Sequence, residues 1–142
     1  MKYVAIVFIL ISLTSCGTSK KNVKAPAIGK MVTTNSGLQY IILNEGKGVG
    51  ARKGDHLLIY ETISYRNGKV LFSNMDTDTP IEIIVGTNQA TKGEDEGLTG
   101  MKEGEIRKMI IPPNLSKRKE YPPNLSPDST IVIKVKLFKI SK

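Results

Sequence analysis

VGTNQATKGEDEGLTGMKEG, residues Val85–Gly104, is the stretch of the chain that decides its fold. It completes a strand-like apolar run that begins at Ile81, and its glycines stand where turns and close contacts need them. Residues 94–101, EDEGLTGM, predict a short helix, because carboxylates in a first helical turn interact favourably with the helix dipole. Leu98 and Met101 are three positions apart and would share the inward face of this helix. A glycine then ends the segment, and a new strand follows.

β-Rich runs on both sides of this stretch predict about six strands joined by hairpins. The runs are residues 37–43, 56–65, 69–73, 81–85, 106–111 and 130–140. Asn67-Gly68, between the second and third runs, is the strongest short hairpin signal. The last run predicts a half-buried strand, because alternate positions form an apolar face. The residues of this face are Ile131, Ile133, Val135 and Leu137. The fold class predicted is α+β, an antiparallel sheet with one short helix.

The order strand, glycine, acidic short helix, Met, Gly-Glu and strand resembles the central segment of FKBP-type peptidyl-prolyl isomerases. In that family the short helix forms the floor of a proline-binding pocket. The motif SGLQY…EGKG…GD, which begins at Ser36, is similar to the start of the same domain. The resemblance covers about Ser36 to Lys139 and implies a curved antiparallel sheet wrapped around the helix. It also implies cis–trans isomerisation of X–Pro bonds, for which a pocket must bind the twisted amide better than the planar one.

The same resemblance implies which residues line the pocket. The pocket tyrosine of the family falls at Tyr60, and the return strand GKVLFS places either Leu71 or Phe72 at a pocket position without the family's aspartate. The rim pair, whose backbone N–H binds the substrate carbonyl, falls on Ala90 and Thr91. The remaining positions are Glu94 in place of the floor tryptophan, Ile133 in the last strand, and Lys117 and Tyr121 in the flap.

Glu94 is the change with the largest consequence for the pocket. The chain has no tryptophan, and a carboxylate cannot form the floor of an apolar pocket without a partner. We therefore expect Glu94 to face solvent or a cation. An open apolar cavity under Ala90 and Thr91 would favour an isomerase, whereas a collapsed cavity with Glu94 in solvent would favour a non-catalytic binding or chaperone module. Such a module would act in envelope assembly, like the lipoproteins of this type that are associated with gliding motility.

The first residues have the pattern of an export signal. The apolar run 4–13 is too short to span a bilayer, which takes roughly 20 residues. Residues 13–16, LTSC, match a lipobox, and Cys16, the only cysteine, would carry the lipid. The alternative is an ordinary signal peptide followed by a free thiol. The pattern predicts a periplasmic lipoprotein that is anchored in a bilayer of the cell envelope. Its predicted parts are a signal peptide at 1–15, a lipidated Cys16 with a tether at 16–35 and an FKBP-like domain at 36–142.

Composition and isolated motifs narrow the function classes further. The 142 residues suit one domain, and 21 Lys and Arg against 13 Asp and Glu give a net charge of +8. For an exported lipoprotein, anionic lipid headgroups or an acidic partner are better candidates than nucleic acid, and solubility alone is the simplest explanation. Asp76-Thr77-Asp78 lacks the glycine and glutamate of a calcium loop, and His56 has no nucleophile motif beside it. We expect no metal, no cofactor, a monomer, and proline-containing polypeptides as clients.

The segment between the last two strands contains a repeat. PPNLS occurs at residues 112–116 and again at 122–126. Two copies suggest a proline-stiffened flap with short extended arms, and the alternative is a chance similarity of two loops. The basic run Lys117-Arg118-Lys119 lies between the copies, either as a solvated loop or as a docking point for an acidic partner.

Overall fold

A computed structural model of the chain describes residues 26–87 and 89–142. The predicted signal peptide, Cys16 and the first part of the predicted tether lie outside these residues. The elements are β1 (Met31–Thr33), β2 (Gln39–Asn44), β3 (His56–Tyr65), β4 (Val70–Ser73), β5 (Ile81–Ile84), α1 (Lys92–Leu98), β6 (Ile106–Ile111) and β7 (Ile131–Ser141). In this described part of the chain no helix has the length and apolar character needed to cross a membrane.

The strands form one antiparallel sheet in the order β1-β2-β6-β7-β3-β4. One edge of β3 has two partners, because β5 pairs with its N-terminal half and β4 with its C-terminal half. The other edge of β3 pairs with β7 along its whole length. The predicted α+β class, an antiparallel sheet with one short helix, is confirmed.

The hydrophobic core lies between α1 and one face of the sheet. The inward face predicted for the last strand is confirmed, since each of its four apolar residues is at most 1% exposed. The core is completed from the other elements by Leu57 and Ile59 of β3, Met109 and Ile111 of β6, and Leu98 of α1. Helix α1 can approach β6 closely because Gly93 has no side chain: a Cβ there would lie 2.5 Å from Cγ2 of Ile111.

Helix α1 begins earlier and ends sooner than the sequence predicts. The Thr91 hydroxyl caps its start by accepting a hydrogen bond from the Glu94 N–H. The helix ends at Leu98, because the next residue is extended and Gly100 has a φ of 79°, a conformation that favours glycine. Leu98 and Met101 are both fully buried as expected, although Met101 lies beyond the end of the helix.

The folded domain begins before the predicted boundary at residue 36. Met31–Thr33, which the sequence assigns to the tether, forms β1 and pairs with β2. Three residues are too few to show the alternation that identifies a strand, so this strand is defined by its partner. The tether prediction therefore applies to fewer residues than 16–35.

The PPNLS repeat forms two turns and not extended arms. The Leu115 N–H donates to the Pro112 carbonyl at 3.0 Å, and the Leu125 N–H donates to the Pro122 carbonyl at 2.9 Å. Both leucines are buried in the core. The repeat thus encodes the same turn twice, each copy anchored by its leucine.

Candidate functional site

A cleft of about 820 Å³ opens between β3, β5, the start of α1 and the segment that follows β6. Its apolar wall consists of Ile63 from β3 with Ile81 and Ile83 from β5. Ala90 and Thr91 continue the lining toward the helix. The basic side chains of the lining are Lys92, Lys117, Arg118 and Lys119. Among the residues that the structure describes, no aromatic side chain belongs to this lining.

Two buried carboxyl groups face each other in the cleft. Glu61 of β3 and Glu94 of α1 are each 5% exposed. Burial raises the pKa of the Glu61 carboxyl, although a hydrogen bond with Glu94 and the positive charge of Arg118 act in the opposite direction. Burial also raises the pKa of Glu94 well above its ordinary value, and the charge of Glu61 and the hydrogen bond between the two raise it further. The pair therefore retains a proton more strongly than two exposed carboxyl groups would.

Asn74 fixes the backbone of Glu61 at the point where β3 changes partner from β5 to β4. Its side-chain Oδ1 accepts a hydrogen bond from the Glu61 N–H at 2.7 Å, and its own N–H donates to the Glu61 carbonyl at 3.1 Å. The amide nitrogen donates to the Ile59 and Thr79 carbonyls at 3.4 and 3.1 Å. Asn74 thus satisfies backbone groups that neither neighbouring strand reaches.

Arg107 holds the helix that carries Glu94. It is 5% exposed, its Nη2 lies 2.6 Å from Oε1 of Glu105, and its Nη1 donates to the Gly97 carbonyl at 2.7 Å. Its guanidinium carbon also lies 4.5 Å from the centroid of the Tyr40 ring. These contacts tie the last turn of α1 to β6 of the sheet.

Arg118 reaches the cleft from the irregular segment between β6 and β7. Its backbone N–H donates to the Tyr121 hydroxyl at 3.4 Å, and Tyr121 is half-buried against the core. The predicted flap residue Tyr121 therefore supports the cleft wall and does not line it. Lys117, the other predicted flap residue, does line the cleft.

The predicted pocket residues Ala90, Thr91 and Glu94 lie together in the cleft. Tyr60 does not, and this assignment needs correction. Its ring lies on the outer face of β3, edge-on to Phe138, with 6.0 Å between the ring centroids. Glu61 takes the inward position instead, because successive side chains of a strand point to opposite faces.

Three further placements differ from the predicted pocket. Leu71 is half-buried against the core, and Phe72 is 43% exposed, so neither lines the cleft. Ile133 is apolar and buried as expected, but it lies within the core and not in the cleft lining. Of the two alternatives expected for Glu94, solvent is wrong because the residue is 5% exposed, whereas the cation is present as Arg118; the Glu61 carboxyl was not expected beside it. The predicted lipid attachment at Cys16 lies outside the described residues.

The sequence contained a signal for Glu61 that the prediction missed. The inward residues of β3 include Leu57, Ile59 and Ile63, and Glu61 interrupts this apolar series. A charged residue within an apolar series indicates either a buried partner or a functional site. Asn74 and Arg118 gave no such signal, because both lie in irregular segments whose placement depends on the folded chain.

Outside the cleft, the described residues offer few groups that could bind a metal ion or act in catalysis. They contain no cluster of three or more His, Cys, Asp or Glu side chains that could hold a metal ion. His56 pairs with Glu82, Nδ1 to Oε1 at 2.7 Å, at an exposed position. The cleft is therefore the main candidate for a functional site.

Comparison with known proteins shows the family of the chain. The model of the FKBP-type peptidyl-prolyl cis-trans isomerase family matches residues 48–138. The chain belongs to this family. The matched range includes β3, β5, α1 and the segment 117–119, which are the parts that form the cleft of this FKBP-type domain.

Individual relatives agree with the family match. The peptidyl-prolyl cis-trans isomerase FKBP2 of Homo sapiens is 37% identical over 95 residues, which cover 66% of this chain and 67% of that protein. The FK506-binding protein of Neisseria meningitidis serogroup B is 35% identical over 99 residues, 69% of this chain and 91% of that protein. The crystal structure of FkpA from Escherichia coli matches with a TM-score of 0.69 at 27% identity, covering 78% of this chain and 51% of that one. The FKBP-type chain thus spans about half the length of FkpA.

Proposed function

We propose that the chain is a peptidyl-prolyl cis–trans isomerase that binds X–Pro segments of polypeptide clients in the cleft. The observation that carries the proposal is that the cleft is open beside Ala90 and Thr91 and keeps an apolar wall of Ile63, Ile81 and Ile83. The family match over residues 48–138 supports the same activity.

The proposed mechanism needs no covalent step. The barrier to rotation of a peptide bond is about 18–20 kcal/mol, because the planar amide has double-bond character. The isoleucine wall would hold the prolyl ring and exclude water from it, and backbone N–H groups of the 90–91 segment would bind the substrate carbonyl. A site that fits the twisted amide better than the planar one lowers the barrier.

A non-catalytic binding module is the second candidate, and a specific observation favours it. The floor of the cleft is a carboxyl pair, and no aromatic side chain of the described residues lines it. A polar floor holds an apolar prolyl ring less well than an aromatic one. In this alternative the FKBP-type domain binds clients as a chaperone during envelope assembly.

An exchange experiment distinguishes the two candidates. NMR exchange spectroscopy of short X–Pro peptides reports cis–trans interconversion without a coupled protease. An isomerase would accelerate an interconversion that otherwise takes tens to hundreds of seconds. Peptide binding with an unchanged interconversion rate would contradict the isomerase proposal and support the binding module.

The proposal includes the place where the protein acts. A lipid on Cys16 would anchor it in a membrane of the cell envelope, on the periplasmic side, where it would act as a monomer on exported proteins. The LTSC motif after an apolar run supports this placement. Metabolic labelling with an alkyne fatty acid should mark the protein, and Cys16→Ser should abolish the label while Ser12→Ala retains it. A label that persists in Cys16→Ser would contradict the anchor.

A further inference from the structure

Two polar atoms in the cleft lack hydrogen-bond partners. They are Oε2 of Glu61 and Nε of Arg118, and no other side-chain nitrogen or oxygen buried within residues 26–87 and 89–142 lacks a partner. Both residues line the same cleft. A buried donor or acceptor without a partner is destabilising. Because one acceptor and one donor of this kind meet in one cleft, they indicate a polar subsite that a ligand completes.

The two atoms define the chemistry of the ligand group. An ionised Glu61 Oε2 needs a donor, and Arg118 Nε needs an acceptor. A carboxylate ligand offers no donor to Glu61, an ammonium group offers no acceptor to Arg118, and an aliphatic group offers neither. A carboxamide carries an NH₂ donor and a carbonyl acceptor as two separate atoms on one carbon. A hydroxyl also donates and accepts, but through a single oxygen on which Glu61 Oε2 and Arg118 Nε would have to converge, and the two ring nitrogens of a neutral imidazole point away from each other. The carboxamide is therefore the side-chain group that offers each of the two atoms its own partner on one side of the group.

The charges around the subsite favour the same neutral group. The carboxyl pair of Glu61 and Glu94 disfavours an anion at the floor. The cleft lining beside the pair carries Lys92, Lys117 and Lys119 in addition to Arg118, and these disfavour a cation. An uncharged polar group avoids both repulsions.

We propose that the cleft selects clients in which a residue next to the proline is glutamine or asparagine, with the side-chain carboxamide donating to Glu61 Oε2 and accepting from Arg118 Nε. The prolyl ring then lies against the wall of Ile63, Ile81 and Ile83, and the carboxamide occupies the polar end. This inference rests on the proposed function, because it names the clients of the same cleft.

The position of Arg118 allows the ligand to enter. Arg118 is half-buried on an irregular segment, and its backbone is held by one long hydrogen bond to Tyr121. Because both unpaired atoms are buried, binding of the ligand requires this segment to move aside. Glu61, in contrast, is held in β3 by Asn74, so the acceptor is fixed and the donor adjusts to it.

The test compares matched peptides on the full chain. Peptides that differ only in the residue before or after the proline carry Gln, Glu, Lys or Leu at that position. Interconversion is followed by NMR exchange, and dissociation constants are measured by titration calorimetry. We expect kcat/KM for the Gln peptide to exceed those for Glu and Leu by at least about tenfold, because an analogue that cannot hydrogen bond leaves polar groups unpaired.

Two variants assign the preference to the subsite. Arg118→Met keeps much of the side-chain length but removes the donor, and it should reduce the Gln peptide to the level of the Leu peptide. Lys136→Met removes an exposed cation of β7 outside the cleft lining and should leave the preference unchanged. Glu61→Met tests the acceptor, and if it does not fold, Arg118→Met still decides the question.

The outcomes separate this inference from the proposed function. Equal or better turnover of the Glu or Leu peptide overturns the carboxamide preference and leaves the isomerase intact. An unchanged interconversion rate with tighter binding of the Gln peptide overturns the isomerase and supports the subsite. An unchanged rate with no difference in binding overturns both. A Gln preference that survives Arg118→Met also overturns the subsite.

Discussion

The side chain of Asn74 closes the edge of β3 at Glu61. Its Oδ1 accepts the Glu61 N–H at 2.7 Å, where β5 has ended as a partner and β4 has not yet begun. A loop residue thus positions a carboxyl group of the cleft floor. The same contact connects the fold to the site, because the backbone of Glu61 cannot shift without leaving a buried N–H unpaired.

Asn74→Ala should lower the free energy of unfolding by about 1–3 kcal/mol, since it leaves buried backbone groups without partners. Asn74→Asp keeps the acceptor Oδ1 but turns a second, charged oxygen toward the Ile59 and Thr79 carbonyls, so it should not restore the lost stability. Urea unfolding measures the change, and amide hydrogen exchange should show faster exchange at Glu61. Asn35→Ala, at an exposed position, is the control. Equal stability of Asn74→Ala and the parent chain would contradict the role assigned to Asn74.

Because of the buried carboxyl pair, we expect the free energy of unfolding to fall as the pH rises. Because the pKa values of Glu61 and Glu94 are raised in the folded state, the folded chain binds more protons than the unfolded chain above the ordinary value of 4.5. The stability contributed by the protonated pair is therefore complete below pH 4.5 and is lost as the pH rises through the folded-state pKa values. Arg118 faces both carboxyls and weakens the effect, and Lys92 and Lys117 lie in the same lining.

Glu94→Gln should remove most of this pH dependence and raise the thermal midpoint at pH 7, because an amide needs no proton to remain neutral. Thermal unfolding between pH 4 and pH 8 measures both effects. Glu120→Gln, on an exposed carboxylate, should leave the profile of the parent chain unchanged. If Glu94→Gln gives a profile parallel to the parent, the buried pair does not control the pH dependence.

Arg107→Met should be strongly destabilising, by about 3–5 kcal/mol, because it leaves the buried Glu105 carboxylate without its partner. Adding Glu105→Gln should recover part of the loss. Lys108→Met, at the exposed neighbouring position, should change stability by no more than about 0.5 kcal/mol. Chemical unfolding of the variants measures these differences. A small effect of Arg107→Met would mean that the last turn of α1 does not depend on this contact.

Ile81→Ala and Tyr60→Ala test which face of the sheet binds the client. Ile81 lines the cleft, so its truncation should lower kcat/KM for an X–Pro peptide by about tenfold. Tyr60 packs against Phe138 on the outer face, and its truncation should change kcat/KM by less than about twofold. NMR exchange measures the activity, and circular dichroism checks that both variants fold. A larger loss of kcat/KM in Tyr60→Ala than in Ile81→Ala would show that Tyr60 contributes to the client-binding pocket.

Much of the fold could be predicted because its signals are local. The hairpin at Asn67-Gly68 is confirmed, with the Gly68 φ at 90° and a bond from the Tyr65 N–H to the Lys69 carbonyl. The acidic first turn of α1 is confirmed as well. The exact helix limits and β1 were missed, because a cap conformation and a three-residue strand depend on neighbours that are distant in sequence.

The sequence by itself determined the antiparallel sheet and the acidic helix, since turn residues and apolar periodicity act over a few positions, and the motif of residues 85–104 carried the resemblance to the family. Only the tertiary structure decided which residues form the floor of the cleft. Both faces of β3 carry apolar and polar residues, and a difference of one position exchanges Tyr60 for Glu61. Packing of β3 against α1 turned Glu61 inward toward Glu94, and the segment after β6 brought Arg118 to them. These residues come from three separate parts of the chain, so their meeting depends on the assembled core and not on any local pattern.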